Sequence, residues 1–174
     1  MPGKKIFKHK DQRVAILIDV QNLYHSARSL YNKRVNFNEV VKAARAGRQL
    51  VRAVAYVVTT KMGTEKAFLG ALEKMGIEMR ERQLQEFYGG AKKGNWDVGI
   101  VVDAIRFSEV VDVIIIVSGD GDFVSLVEYL KNKGRQVEVI AFGRSTSAQL
   151  IEVADDFIDL DSSKKFLLAP SGKR

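Results

Sequence analysis

The 174-residue chain has no cysteine and only two histidines. The first absence excludes a disulfide framework and any thiolate-ligated zinc or iron-sulfur centre, and the second leaves too few imidazoles for a histidine-rich metal site. A metal bound by this chain has to be a hard cation held by oxygen. Long apolar runs are missing as well. No segment is long enough to span a bilayer, and the basic opening MPGKKIFKHKDQR leads into no apolar stretch with a small-residue cleavage site. A cytoplasmic location is the expectation.

What is present suffices for one core of ordinary domain size, with 46% of the residues apolar. The net charge of +7 is unevenly placed. Lys4, Lys5, Lys8, Lys10 and Arg13 face only Asp11 at one end, and Lys164, Lys165, Lys173 and Arg174 face no acid at the other. The expected organisation is a basic tail over residues 1–12, a near-neutral domain over 13–161 and a second basic tail over 162–174. Within the domain, Arg28, Lys33, Arg34, Lys42, Arg45, Arg48 and Arg52 face only Glu39, whereas carboxylates gather later. That asymmetry suits a polyanion held beside an acidic site.

Short runs rich in Val and Ile read as strands: Arg13 to Asp19, Leu50 to Val58, Val111 to Ser118 and Gln136 to Phe142. IEMRERQLQ after Gly76 and FIDL from Phe157 to Leu160 add two more. Helix-length segments lie between them: Leu23 to Tyr31, Glu39 to Arg45, Glu65 to Lys74, Trp96 to Phe107, Phe123 to Lys131 and Ala148 to Val153. Alternation of strand and helix, with several strands apolar on both faces, predicts an α/β fold with a central, mainly parallel sheet covered by helices on each side. There is no internal repeat. YGGAKKGN, from Tyr88 to Asn95, reads as a mobile surface loop.

The segment IIIVSGDGDF runs from a buried-looking strand into Asp120 and Asp122. Ligands of open parallel sheets sit beyond the carboxyl ends of the strands, where the strand order reverses. Asp19 ends the first strand, so if it neighbours the strand before Asp120, three carboxylates meet in one crevice. Asp97, in the first turn of the helix that Asn95 is expected to cap, is the fourth. In that helix Val98, Val101, Val102 and Ile105 form a stripe expected to pack inward, with Asp103 pointing elsewhere and Ile100 left outside, free for a homodimer contact. Like charges about 4 to 6 Å apart cost on the order of 3 to 4 kcal/mol at an effective dielectric near 20, so such a cluster calls for a cation. Oxygen-only ligands suit Mg²⁺ or Mn²⁺. An EF-hand starting at Asp120 is excluded, because its fifth, sixth and twelfth positions are Val124, Ser125 and Lys131.

Single-residue alternatives accompany each assignment. Asp122 would also cap the next helix, Asp19 an Asx turn, and Asn22 the helix after the first strand. Ser118 offers a hydroxyl to a phosphate, and Lys93 a charge to a nucleic-acid backbone. Trp96 reads as packing before base stacking, and His25 as structural or solvent-facing.

The motifs ILIDVQN, KKGNWDVGIVVDAI, VSGDGDFVSLVEYLKNKGRQVEVIAF and STSAQLIEVADDFIDL, in this order from Val14 to Leu160, resemble the NYN-domain proteins of LabA type in the PIN-like nuclease superfamily. The resemblance implies a Rossmann-like three-layer sandwich and metal-dependent endoribonuclease activity. By position it places the family's acidic residues on Asp19, Asp97, Asp120 and Asp122, its companion asparagine on Asn22, and a recurrent helix aspartate on Asp103. Val20 stands where the family often has glycine. The expected function is Mg²⁺- or Mn²⁺-dependent hydrolysis of single-stranded RNA, with Asp19, Asp97, Asp120 and Asp122 as metal-binding catalytic residues and Asn22, Ser118 and Lys93 binding substrate. The alternative is an RNA- or protein-binding module on the same fold. An aspartyl phosphatase ranks last, because the usual Asp-x-Asp after the first strand reads DVQ here.

Overall fold

The structure is a computed structural model that describes residues 6–59, 66–83, 85–86, 92–93 and 95–170. The chain runs β1 (Arg13–Asp19), α1 (Val20–Tyr31), β2 (Arg34–Val35), α2 (Phe37–Arg45), β3 (Gln49–Thr59), α3 (Lys66–Lys74), β4 (Glu78–Gln83), β5 (Gln85–Glu86), β6 (Lys92–Lys93), α4 (Asp97–Phe107), β7 (Val113–Val117), α5 (Val124–Asn132), β8 (Gln136–Ala141), α6 (Ala148–Val153), β9 (Asp156–Asp159) and β10 (Leu167–Leu168). Six strands form one sheet in the order β4-β3-β1-β7-β8-β9, and every pairing in it is parallel. The central strands are the Val- and Ile-rich ones, since only a strand covered on both faces can be apolar throughout. All five residues of β7 are buried.

Side chains of β1 alternate between two cores. Ile16 and Ile18 pack on one face with Leu23 of α1, Val40 of α2 and Leu72 of α3. Ala15 and Leu17 pack on the other with Ile100 of α4, Val127 of α5 and Leu150 of α6. The chain winds outward from β1 in one direction and from β7 in the other. The strand order therefore reverses between these two neighbours, and the crevice expected at that point lies between Asp19 and the loop after β7.

Helix α1 begins at Val20, three residues before the expected start, because Asp19 is its cap: Oδ1 accepts the Asn22 N–H at 3.2 Å. Helix α4 is rotated from its expected orientation. Ile100, Asp103, Ala104 and Phe107 face inward, while Val98 is 76% exposed and Val102 42%. Ile100, expected to be free for a dimer contact, is fully buried. The rotation follows from Asp103, whose carboxylate accepts the Tyr56 hydroxyl at 2.8 Å and meets Arg80 at 3.2 Å, so this helix face carries a satisfied buried charge.

The basic stretch from Arg28 to Arg52 also divides. Arg48 is buried and donates to both oxygens of Glu138 at 2.7 and 2.9 Å, and Arg52 is held by Glu78 at 2.7 Å. These two cations are compensated within the fold; Arg28, Lys33 and Lys42 remain exposed. The chain beyond residue 161, expected as a basic tail, continues into the fold: Phe166 is buried, and β10 pairs antiparallel with β2. At the other end, Lys8 pairs with Asp156 at 2.9 Å. The YGGAKKGN segment contributes β6, which pairs antiparallel with β5 as a small hairpin; residues 87–91 and 94 lie outside the described residues.

Candidate functional site

The carboxyl ends of β1 and β7 are fastened by a short polar chain. Ser118, buried just after β7, donates its hydroxyl to Asp19 Oδ2 at 2.9 Å and accepts the Asp120 N–H at 3.2 Å. Asn22 Oδ1 accepts the Gly119 N–H at 2.9 Å. Asp120 in turn caps a single 3-10 turn over Gly121–Phe123, with Oδ1 accepting the Asp122 N–H at 2.9 Å. Each side chain accordingly orients the next. Gly119 is required here by close approach, because an added Cβ would lie 2.7 Å from Thr146 Oγ1.

Opposite this loop, Asp97 opens α4. Asn95 Oδ1 accepts the Asp97 N–H at 3.3 Å, while Trp96 holds the formal cap position without a side-chain cap bond. Trp96 is fixed by its indole N–H, which donates to the Val57 carbonyl at 3.0 Å, and by ring contact with Tyr56. The packing role expected for it is thus met.

Asp97, Asp120 and Asp122 each bring a carboxylate oxygen within 4.8 Å of the other two. Burial pushes the Asp97 carboxyl up to about 6, helped by the charges of Asp120 and Asp19 and by a hydrogen bond with Asp120. Burial also raises the Asp19 carboxyl, against the opposing effects of the Ser118 hydroxyl and the Asn22 amide. Asp19, Asp97 and Asp120 line an open cleft of about 250 Å³ together with Asn22, His25 and Asn95, among others, and Asp122 stands beside it within reach of Asp97 and Asp120. The all-oxygen donor set and its mutual repulsion fit a hard divalent cation, which would relieve both.

The four expected aspartates therefore gather at one place, three as a ligand-spaced group and Asp19 beside them. Asn22 and Ser118 are there too, but their polar atoms brace the loop. Lys93 lies in β6, where its backbone pairs with Gln85; its side chain is outside the described residues. His25, expected to be structural or solvent-facing, is exposed and on the cleft wall. Its place three residues after Asn22 puts it on the same helical face, and that spacing was the signal for it.

The architecture is that of a PIN-like, Rossmann-like sandwich with an acidic cleft at its switch point. The model of the NYN domain matches residues 13–161, and the chain belongs to this family. It is 28% identical over 167 residues to the "low amplitude and bright protein LabA" of Synechococcus elongatus, covering 91% of this chain and 89% of that protein. A crystal structure of a protein of unknown function from Vibrio parahaemolyticus is 35% identical and superposes with a TM-score of 0.84, over 94% of this chain and 100% of the other. Family and fold point to a nuclease-like or RNA-related role. Among the described residues, no helix is long and apolar enough to cross a membrane.

Proposed function

We propose that the chain is a metal-dependent endoribonuclease that hydrolyses phosphodiester bonds of single-stranded RNA, with Mg²⁺ or Mn²⁺ held by Asp97, Asp120 and Asp122. The observation that supports this reading is the meeting of these three carboxylates, from the start of α4 and the loop after β7, within 4.8 Å of one another at an open cleft that Asp97 and Asp120 line. When bound, such a cation neutralises charge on a phosphodiester and makes water a better nucleophile.

The chain's own residues supply position. Asp19 adds a fourth negative charge to the cleft and, through Ser118 and Asn22, fixes the loop that carries Asp120. Ser118 and Asn22 are therefore positioning residues in this reading, and Lys93 is the hairpin cation assigned to the RNA backbone. His25, exposed on the cleft wall, is the imidazole assigned in this reading to protonate the leaving oxygen.

The test is cleavage of end-labelled single-stranded RNA by chelator-treated protein, before and after addition of Mg²⁺ or Mn²⁺. Cleavage should appear only with metal and fall by about 100-fold or more in Asp97→Asn and Asp120→Asn, the range for losing an electrostatic catalytic group. Undiminished cleavage in both variants defeats the assignment. RNA affinity without metal-dependent cleavage across several RNAs and DNAs establishes instead a binding module on the same fold.

A further inference from the structure

Helix α4 packs over β1 and β3 on its side of the sheet, and on the same face of the edge strand β4 Glu78 and Arg82 are exposed and Arg80 is half-buried. That face is basic. Arg80 and Arg82 of β4, Arg52 of β3 and Arg106 of α4 converge there, against the acids Glu78 and Asp103. Glu78 is matched to Arg52. Asp103, 5% exposed, is shared by Arg80 at 3.2 Å and Arg106 at 3.7 Å, so one carboxylate serves two guanidinium groups. Arg82 meets no carboxylate among the described residues. Its guanidinium lies over the Trp96 ring at 4.1 Å and donates to the Asn95 carbonyl at 2.9 Å.

Two features separate this ledge from an ordinary solvated charge patch. The arginines are held in place: Arg80 by a buried carboxylate that also accepts the Tyr56 hydroxyl, Arg82 by an indole whose own N–H is anchored to β3. Fixed planar donors lose less freedom on binding a phosphate than mobile side chains do. The ledge is also continuous with the acidic cleft, since Asn95, which receives Arg82, lines that cleft, and Asp97 follows two residues later.

We propose that the arginine face of β4 beside α4, through Arg82, Arg80 and Arg106, is the track along which a single-stranded RNA backbone enters the acidic cleft. This rests on the nuclease reading and assigns its substrate path. A cleft lined by aspartates repels a polyanion, so phosphates need a compensating cationic surface next to it. On this track Arg82, beside the start of α4, and Arg106, 71% exposed in its last turn, present guanidinium donors to the backbone. The exposed Arg28, Lys33 and Lys42, on α1, α2 and the turn between α1 and β2, lie off the track.

The experiment is fluorescence anisotropy of a fluorescein-labelled single-stranded RNA of about 20 nucleotides in EDTA, titrated with the full chain at several salt concentrations. The variants are Arg82→Glu with Arg106→Glu, the milder Arg82→Gln with Arg106→Gln, and a control pair, Lys33→Glu with Lys42→Glu, each checked for an unchanged circular dichroism spectrum. The track predicts at least tenfold weaker binding for the Glu pair and a salt slope shallower by about 0.7 for each phosphate that is no longer neutralised. The Gln pair should move the same way by less, and the control pair should stay within twofold. Affinity and slope unchanged in both arginine pairs, or an equal loss in the control pair, overturns the track. If the parent protein binds RNA through these arginines yet cleaves none with any metal, the nuclease reading fails and the track stands; if the parent binds no RNA, both fail.

Discussion

Asp97 sits in the first turn of α4, where the helix dipole favours its charge, yet burial and the neighbouring carboxylates push its pKa up to about 6. Its folded pKa thus lies above the ordinary aspartate value near 3.9. The stability this group contributes is present in full below pH 4 and is lost as pH rises through about 6, because the folded state binds the proton more tightly than the unfolded one. Discounted for solvent screening, the cost of ionising it is about 1 kcal/mol, or roughly 2–4 °C in Tm for a chain this size. Metal-free protein should therefore melt lower at pH 7.5 than Asp97→Asn does, with the gap closing by pH 4; thermal melts in EDTA across that range measure it. A parent protein more stable than Asp97→Asn at neutral pH without metal would contradict the electrostatic account. Much of the site was legible at this scale. Asp19, Asp120 and Asp122 follow strand-ends whose apolar character put them in the middle of the sheet, and Asp97 stands at a helix start. The bracing roles of Ser118 and Asn22 were not, because they depend on which lone pair meets which N–H across loops about 100 residues apart in the chain.

Helix α4 shows where element-level reading fails. Valine, isoleucine and alanine occur almost all round it, so helical periodicity offers two stripes of similar apolar content. The Val98, Val101, Val102 and Ile105 stripe fits the i, i+3, i+4, i+7 spacing, whereas the face that is buried contains Asp103, and a carboxylate is expensive to bury unpartnered. Its partners, Tyr56 and Arg80, belong to β3 and β4, and nothing local to α4 announces them. The outcome can be tested by paired substitutions. Val98→Lys should change stability by no more than about 0.5 kcal/mol, as at an open surface site, whereas Ile100→Ala should cost about 2–5 kcal/mol. Urea unfolding with unchanged m-values measures both, and the reverse order would restore the orientation that periodicity suggested. By contrast, β1, β3, β7 and β8 were plain from their Val and Ile runs, since double-sided burial leaves no competing pattern. The minor pair β2 and β10 was hidden, being two residues long on each side and joined across most of the chain.

Across the whole molecule, charge is handled in opposite ways at the two ends of the sheet. At the amino ends of the strands Arg48 and Glu138 are fully buried, paired bidentately and supported by Gln136, Gln12 and Lys8. At the carboxyl ends Asp97, Asp120 and Asp122 face one another with no cation paired to them among the described residues. Compensation at one end is a matter of stability; its lack at the other is what gives the proposed metal a place. The two should separate in a thermal-shift experiment with and without Mn²⁺. Removing one partner of a buried pair costs about 3–5 kcal/mol, so Arg48→Met should lower the metal-free Tm by on the order of 10 °C. Its response to Mn²⁺ should nevertheless match that of the parent, about 2.7 kcal/mol at a metal concentration of 100 times Kd, because distant sites without shared partners act additively. The Asp97→Asn and Asp120→Asn double variant should behave in the opposite way, with a metal-free Tm at or above that of the parent and no Mn²⁺ response. If the double variant still responds to Mn²⁺ as the parent does, the ion binds elsewhere, and the repulsion among these aspartates serves no metal.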